Sequence, residues 1–169
     1  MLQQLVQCTF QQELYDNLYM FYGDTQSRLL DWKKFRLEID TLYEIDAIQA
    51  TSALYNTAPI SSQFLCPDFV EDWPDPWQLI VDNYYDDIAK ALGMLYTMYY
   101  SSHNMAGEMR CYRDNDRSED YNLAWLGHGK YILNYDLDVV VNNTSITNEI
   151  NLVTQIGVED LVNESNSSH

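Results

Sequence analysis

Basic side chains are scarce in this sequence: nine Lys and Arg stand against 26 Asp and Glu among 169 residues, a formal charge of −17. A field of that sign repels nucleic-acid phosphates and anionic lipid headgroups, so no direct contact with DNA, RNA or a membrane surface is expected. Cysteine is also sparse. Cys8, Cys66 and Cys111 are odd in number, widely spaced and without a C-x-x-C pair, which encodes neither a disulfide framework nor a zinc site. None of the six glycines falls in a G-x-G-x-x-G or P-loop pattern, so no phosphate cradle and no nucleotide cofactor is expected. Long apolar runs are missing too, and no segment approaches the ~18 residues of a membrane span. The start, Met1 to Asn17, has neither the basic end nor the unbroken apolar core of a secretory signal. The N-x-S/T matches at Asn142, Asn143, Asn163 and Asn166 therefore have no secretory context, and the sequence predicts a cytoplasmic protein with free thiols.

What is present is enough for a packed core. At 46% hydrophobic and 14% aromatic, the chain is too apolar for a disordered acidic polypeptide, and its length fits one domain over residues 1–162 with a disordered polar tail, 163–169. The charge is unevenly spread. Residues 28–36 hold Arg28, Lys33, Lys34 and Arg36 against Asp31, whereas residues 37–89 hold eleven acids and no Lys or Arg. One third of the chain thus carries most of the negative charge.

Apolar spacing predicts a helix over residues 2–21 and a second from Thr25 into the forties or fifties, with Trp32, Phe35, Ile39, Leu42 and Ile45 facing the core. From Thr57 to Pro76 four prolines break the pattern, and Phe64, Phe69, Trp73 and Trp77 read as a loop pinned by burial. A third helix is expected with Asn83 as N-cap and Asp86 and Asp87 in its first turn, where carboxylates suit the helix dipole. Its continuation, Ile88 to Tyr100, is apolar nearly all round and so belongs in the centre of the domain. After His103 the period becomes alternating, which predicts strands over residues 108–113, 121–126, 130–135 and 138–141, with a hairpin at Gly127-His128-Gly129-Lys130. A helical period returns over residues 146–161. Helices followed by an antiparallel sheet make an α+β fold.

The string Tyr85-Asp86-Asp87-Ile88-Ala89, followed by apolar residues, and then Asn122-Leu123-Ala124-Trp125 and Gly129-Lys130-Tyr131 leading to Asp136, resembles the transglutaminase-like branch of the papain-like cysteine hydrolases over about residues 76–142. The resemblance implies a nucleophile at Tyr85, a His at Asn122 and an Asp at Asp136. Tyrosine and asparagine cannot supply the thiolate and the proton acceptor, so the resemblance implies a degenerate, inactive site. The plainer alternative is that Tyr85 is a packed residue and Asp86 a cap.

Other groupings of chemically active residues carry weaker signals. Cys66 with His103 or His128 and Asp136 forms a hydrolase triad on paper, but nearby acids oppose a thiolate. Asp114 to Asp120 begins like a calcium loop yet lacks Gly at the sixth place and an acid at the twelfth, so a polar turn fits better and no metal is expected. The leading expectation is a non-catalytic acidic protein that docks a basic protein surface, in one version inhibiting a host nucleic-acid-binding protein by mimicking phosphate. The residues expected to meet the partner are Asp68, Glu71, Asp72, Asp75, Asp82, Asp86 and Asp87, with Trp73 and Trp77 as aromatic anchors. The short, Tyr- and Asn-rich chain is similar in style to viral or phage proteins. A cysteine hydrolase using Cys66 and a structural subunit of a viral particle, with homo-oligomers, are the competing expectations.

Overall fold

The structure is a computed structural model and describes residues 18–115, 119–136, 139–142 and 150–166. Most of the helix expected over residues 2–21, Cys8 included, lies outside the described residues. A 3-10 turn at Leu18–Phe21 leads into α1 (Thr25–Ile39), which Asp24 caps by accepting from the Ser27 N–H. Trp32, Phe35 and Ile39 are its buried residues, as their spacing predicts. The helix stops there instead of running on, and α2 begins anew at Glu44 and ends at Asn56. The break has a tertiary cause. Asp40 Oδ1 accepts from the Ser102 N–H at 2.6 Å, and His103 Nε2 donates to the Ile39 carbonyl, which also accepts from the Leu42 N–H, at 3.0 Å, so the end of the central helix packs on the break and holds its tight turn. Ile45, past the break, is consequently exposed.

The proline-rich stretch is irregular apart from a 3-10 turn at Val70–Asp72, but it ends one residue earlier than its composition implies. Asp75 accepts from the Trp77 and Gln78 N–H groups and Pro76 occupies the first turn, an N-terminal arrangement that starts α3 (Pro76–Asp82). Asn83 closes this helix in the left-handed conformation (φ 57°) and is not the cap of the next one. That cap is Asp86, whose Oδ1 accepts from the Ala89 N–H at 2.8 Å and opens α4 (Asp87–Tyr100). Ten of the fourteen residues of α4 are buried, so it is the central helix. In its last turn Thr97 Oγ1 accepts from Trp32 Nε1 at 2.9 Å and lies 3.0 Å from the Tyr55 hydroxyl, which satisfies three polar groups that the core would otherwise leave bare.

Five strands follow: β1 (Gly107–Asp114), β2 (Asp120–Leu126), β3 (Tyr131–Asp136), β4 (Val139–Asn142) and β5 (Ile150–Gly157). They form one antiparallel sheet in the order β4-β3-β2-β1-β5. β5 corrects the helix expected over residues 146–161. Residues 146–149 lie outside the described residues; Ile150, Val153, Thr154 and Ile156 are β-branched residues with a free edge of β1 to pair with, and among the described residues of this region Val158–Asn166 is helical, as α5. α5 runs into the segment expected to be a tail. The sheet lays Met109, Cys111, Ala124, Leu126 and Leu133 against the helical layer in one core, and Leu123, Trp125 and Ile132 form a second cluster on its other face. Among the described residues, no helix is long and apolar enough to cross a membrane.

Candidate functional site

The loop before α3 is fixed mainly by hydrogen bonds. Ser61 N–H donates to the Tyr85 carbonyl, Leu65 N–H to Asp86 Oδ2 at 2.5 Å, Trp73 Nε1 to the Cys66 carbonyl at 2.9 Å and Thr154 Oγ1 to the Pro67 carbonyl at 2.6 Å. Tyr96 at the core of α4 reaches the Pro74 carbonyl at 3.0 Å. Burial of the four aromatics, expected to pin this loop, holds for Trp73 alone: Phe64 is 81% exposed and Phe69 and Trp77 are also on the surface.

Holding the loop away from α3 leaves a cavity of about 510 Å³. Asp72 and Trp73 come to it from the 3-10 turn and its end, Asp75 and Asp82 from the two ends of α3, Asp86 from the cap of α4, and Phe64 and Tyr84 form part of its wall. Two of its carboxylates are engaged as caps and Asp82 accepts from Gln78 Nε2. Burial pushes the Asp86 carboxyl above its ordinary value, against the Ala89 and Leu65 N–H groups that favour the anion. The cavity is therefore anionic and partly aromatic, a composition suited to a cationic side chain.

Five of the nine residues expected to meet a partner line this cavity: Asp72, Trp73, Asp75, Asp82 and Asp86. Asp68 and Glu71 are exposed nearby in sequence but are not part of its lining. Trp77 faces the opposite side of α3, edge-on to Trp32 at 5.4 Å and beside Tyr100 at 5.9 Å. Asp87 turns to the sheet. Its carboxylate accepts from Asn122 Nδ2 and Asn134 Nδ2, each at 3.0 Å, and Asn134 Nδ2 also donates to the Asn122 carbonyl at 2.8 Å.

The start of the central helix thus meets β2 and β3, and of the three positions Tyr85, Asn122 and Asp136 only Asn122 takes part in that contact. Tyr85 is 1% exposed and packs into the helical core against Phe21, with ring centroids 5.0 Å apart, and its hydroxyl finds no partner among the described residues. Burial raises its pKa further. Asp136 lies at the exposed end of β3, two residues beyond Asn134, which is the β3 residue that reaches the helix. A left-handed Asn134 (φ 66°) and a register shift between Ile132 and Asp136 turn that side chain over to the helical side. The signal was present in Leu133-Asn134-Tyr135-Asp136, since asparagine is one of the few residues that accept this conformation.

The alternative triad is not assembled. Cys66 adjoins Leu65, which is bonded to the cap of α4, whereas His103 follows its far end, and fourteen helical residues span ~21 Å. Cys66 Sγ lies 3.8 Å from Asp68 Oδ2. Cys111 is buried, and desolvation together with Asp87, Asp120, Asp68 and Asp86 pushes its thiol up to about 12. Among the described residues no group of His, Cys, Asp and Glu is arranged to hold a metal ion. No protein-family model matches the chain, and no curated protein matches it.

Proposed function

We propose that this is a non-catalytic acidic protein that docks a basic protein surface through the cavity between the 61–75 loop and α3. The observation that carries the reading is the convergence of Asp72, Asp75, Asp82 and Asp86 on one concave site with aromatic walls. Carboxylates gathered on one concave site attract ammonium or guanidinium groups more strongly than the same number spread over a surface, because their potentials add and the walls of the cleft focus the field. The partner is a basic protein, in the leading case a host nucleic-acid-binding protein whose phosphate site is occupied by this acidic face. A reducing cytoplasmic setting, that of the host if the protein is viral, agrees with the free Cys66 and Cys111.

The departure of Tyr85 and Asn122 from nucleophile and proton acceptor supports a binding role over hydrolysis. A second reading, degenerate descent from a transglutaminase-like hydrolase, is favoured by Asn122 and Asn134 closing on Asp87 at the start of the central helix. It concerns origin and is compatible with the first. The docking reading is tested by titrating a Lys-rich peptide into the full chain and into D72N/D82N. Loss of affinity in the variant supports it, and equal affinity overturns it.

A further inference from the structure

The chain's most basic stretch lies wholly in α1, and its four bases divide by face. Arg28 and Arg36 serve the interior: Arg28 donates to the Gly23, Ile80 and Val81 carbonyls, and Arg36 lies 4.1 Å over the Trp32 ring. Lys33 and Lys34 lie on the opposite side. At helical spacing Leu30, Lys33, Lys34 and Leu37 form one stripe, away from buried Trp32, Phe35 and Ile39. Leu30 and Leu37 are 58% and 59% exposed, and Lys34 makes a solvent-exposed pair with Glu38 of its own helix. Among the described residues, two leucines and two lysines in one stripe on solvent are an unpartnered helix face.

The geometry points to a second copy of this chain as an occupant of the acidic cavity, docked through the α1 stripe. Charge complementarity carries the assignment: paired ammonium groups meet the exposed Asp72 and Asp82 with Asp75 between them in the chain, and flanking leucines meet the exposed Phe64 and Tyr84 of the wall. The stripe cannot reach the cavity of its own molecule. α1 lays its inner face on α3, through Trp32 against Trp77 and Arg28 against Ile80 and Val81, so the stripe points away from the helix whose Gln78, Leu79 and Asp82 line the cavity. Two different patches are joined, so the contact is heterologous and builds rings or filaments. The inference rests on the reading of the cavity as an acceptor of basic surface and gives that surface a form, a helix with adjacent lysines between leucines three residues away on either side.

The net charge of −17 opposes association at long range. The contact is therefore sought near ~0.15 M salt, where a Debye length of ~8 Å screens whole-molecule repulsion more than contact pairs. Sedimentation velocity of the full chain is expected to show concentration-dependent oligomers. K33E/K34E and D72K/D82K, each checked for folding by circular dichroism, weaken association at least tenfold, and K33A/K34A and D72N/D82N do so to a lesser degree. Mixing K33E/K34E with D72K/D82K restores association, because one retains the native cavity and the other the native stripe. K90E/K130E, with the same net charge as K33E/K34E, assembles like the wild type. A wild-type chain that stays monomeric throughout, or oligomers indifferent to both pairs of substitutions, overturns the inference. If in that case a Lys-rich peptide still binds in a manner dependent on Asp72 and Asp82, the docking reading stands alone; if it does not, both fail.

Discussion

The Asp86 carboxylate accepts the Leu65 backbone N–H at 2.5 Å, joining the proline-rich loop to the start of the central helix. The same carboxylate caps α4 through Ala89. One side chain thus sets both the helix start and one wall of the cavity, and its partial burial follows from being wedged between them.

D86A removes an N-cap and a charge-assisted bond to the loop, and is expected to cost about 2 kcal/mol in urea unfolding. The pH dependence has a definite sign. Burial raises the folded-state pKa of Asp86, so its contribution is fully present below the unfolded value of ~3.9 and is lost as pH rises through the folded value. The stability of wild type relative to D86N should therefore fall as pH is raised from 4 towards 7. A relative stability that rises over this range contradicts the desolvation account.

Asn134 holds Asp87 and the Asn122 carbonyl with one amide. N134A is expected to lose about 1–2 kcal/mol in urea unfolding. N134D places a second carboxylate beside Asp87 and should cost more than N134A at pH 7. That excess should shrink as salt is raised from ~0.05 to ~0.5 M; an excess indifferent to salt would mean the bulge, and not charge, governs the site.

Gly93 sits in the middle of α4, where a Cβ would overlap the Tyr55 ring. Tyr55 is fully buried and bonded near Thr97, so it cannot swing aside without leaving its hydroxyl unpaired. Despite alanine's better helix propensity, G93A should destabilise by about 1–3 kcal/mol in urea unfolding. An unchanged or raised midpoint would show that the contact yields.

The two described cysteines should separate under a thiol reagent at pH 7 with peptide-resolved mass spectrometry. Cys66 is half-buried and labels in the native state, no faster than a free thiol, whereas Cys111 is protected until the protein unfolds. Hyper-reactivity at Cys66 would revive the hydrolase alternative.

The α+β class, the central helix and four strands are legible in the sequence, because their periodicities are set by burial on one side or all round. β5 is not, since residues 150–157 form a strand only when β1 offers an edge to pair with. The stop after Ile39 is equally invisible, since the turn there is held by Ser102 and His103 from the far end of α4. At the candidate site, composition identifies the acidic segment but not its division. Asp72, Asp75, Asp82 and Asp86 reach the cavity while Asp87, one residue on, faces the sheet, because Asp86 is still extended backbone and Asp87 is the first helical residue, so the two side chains leave the chain in different directions.

The central claim is that the cavity, and not the overall charge, recognises basic surface. Calorimetric titration of a Lys-rich peptide at ~0.05 and ~0.5 M salt, into wild type, D72N/D82N and the charge-matched E159Q/D160N, tests it most directly. The account predicts binding that weakens steeply with salt, falls at least tenfold in D72N/D82N and is unchanged in E159Q/D160N. Equal losses in both variants, or affinity indifferent to salt, would contradict it.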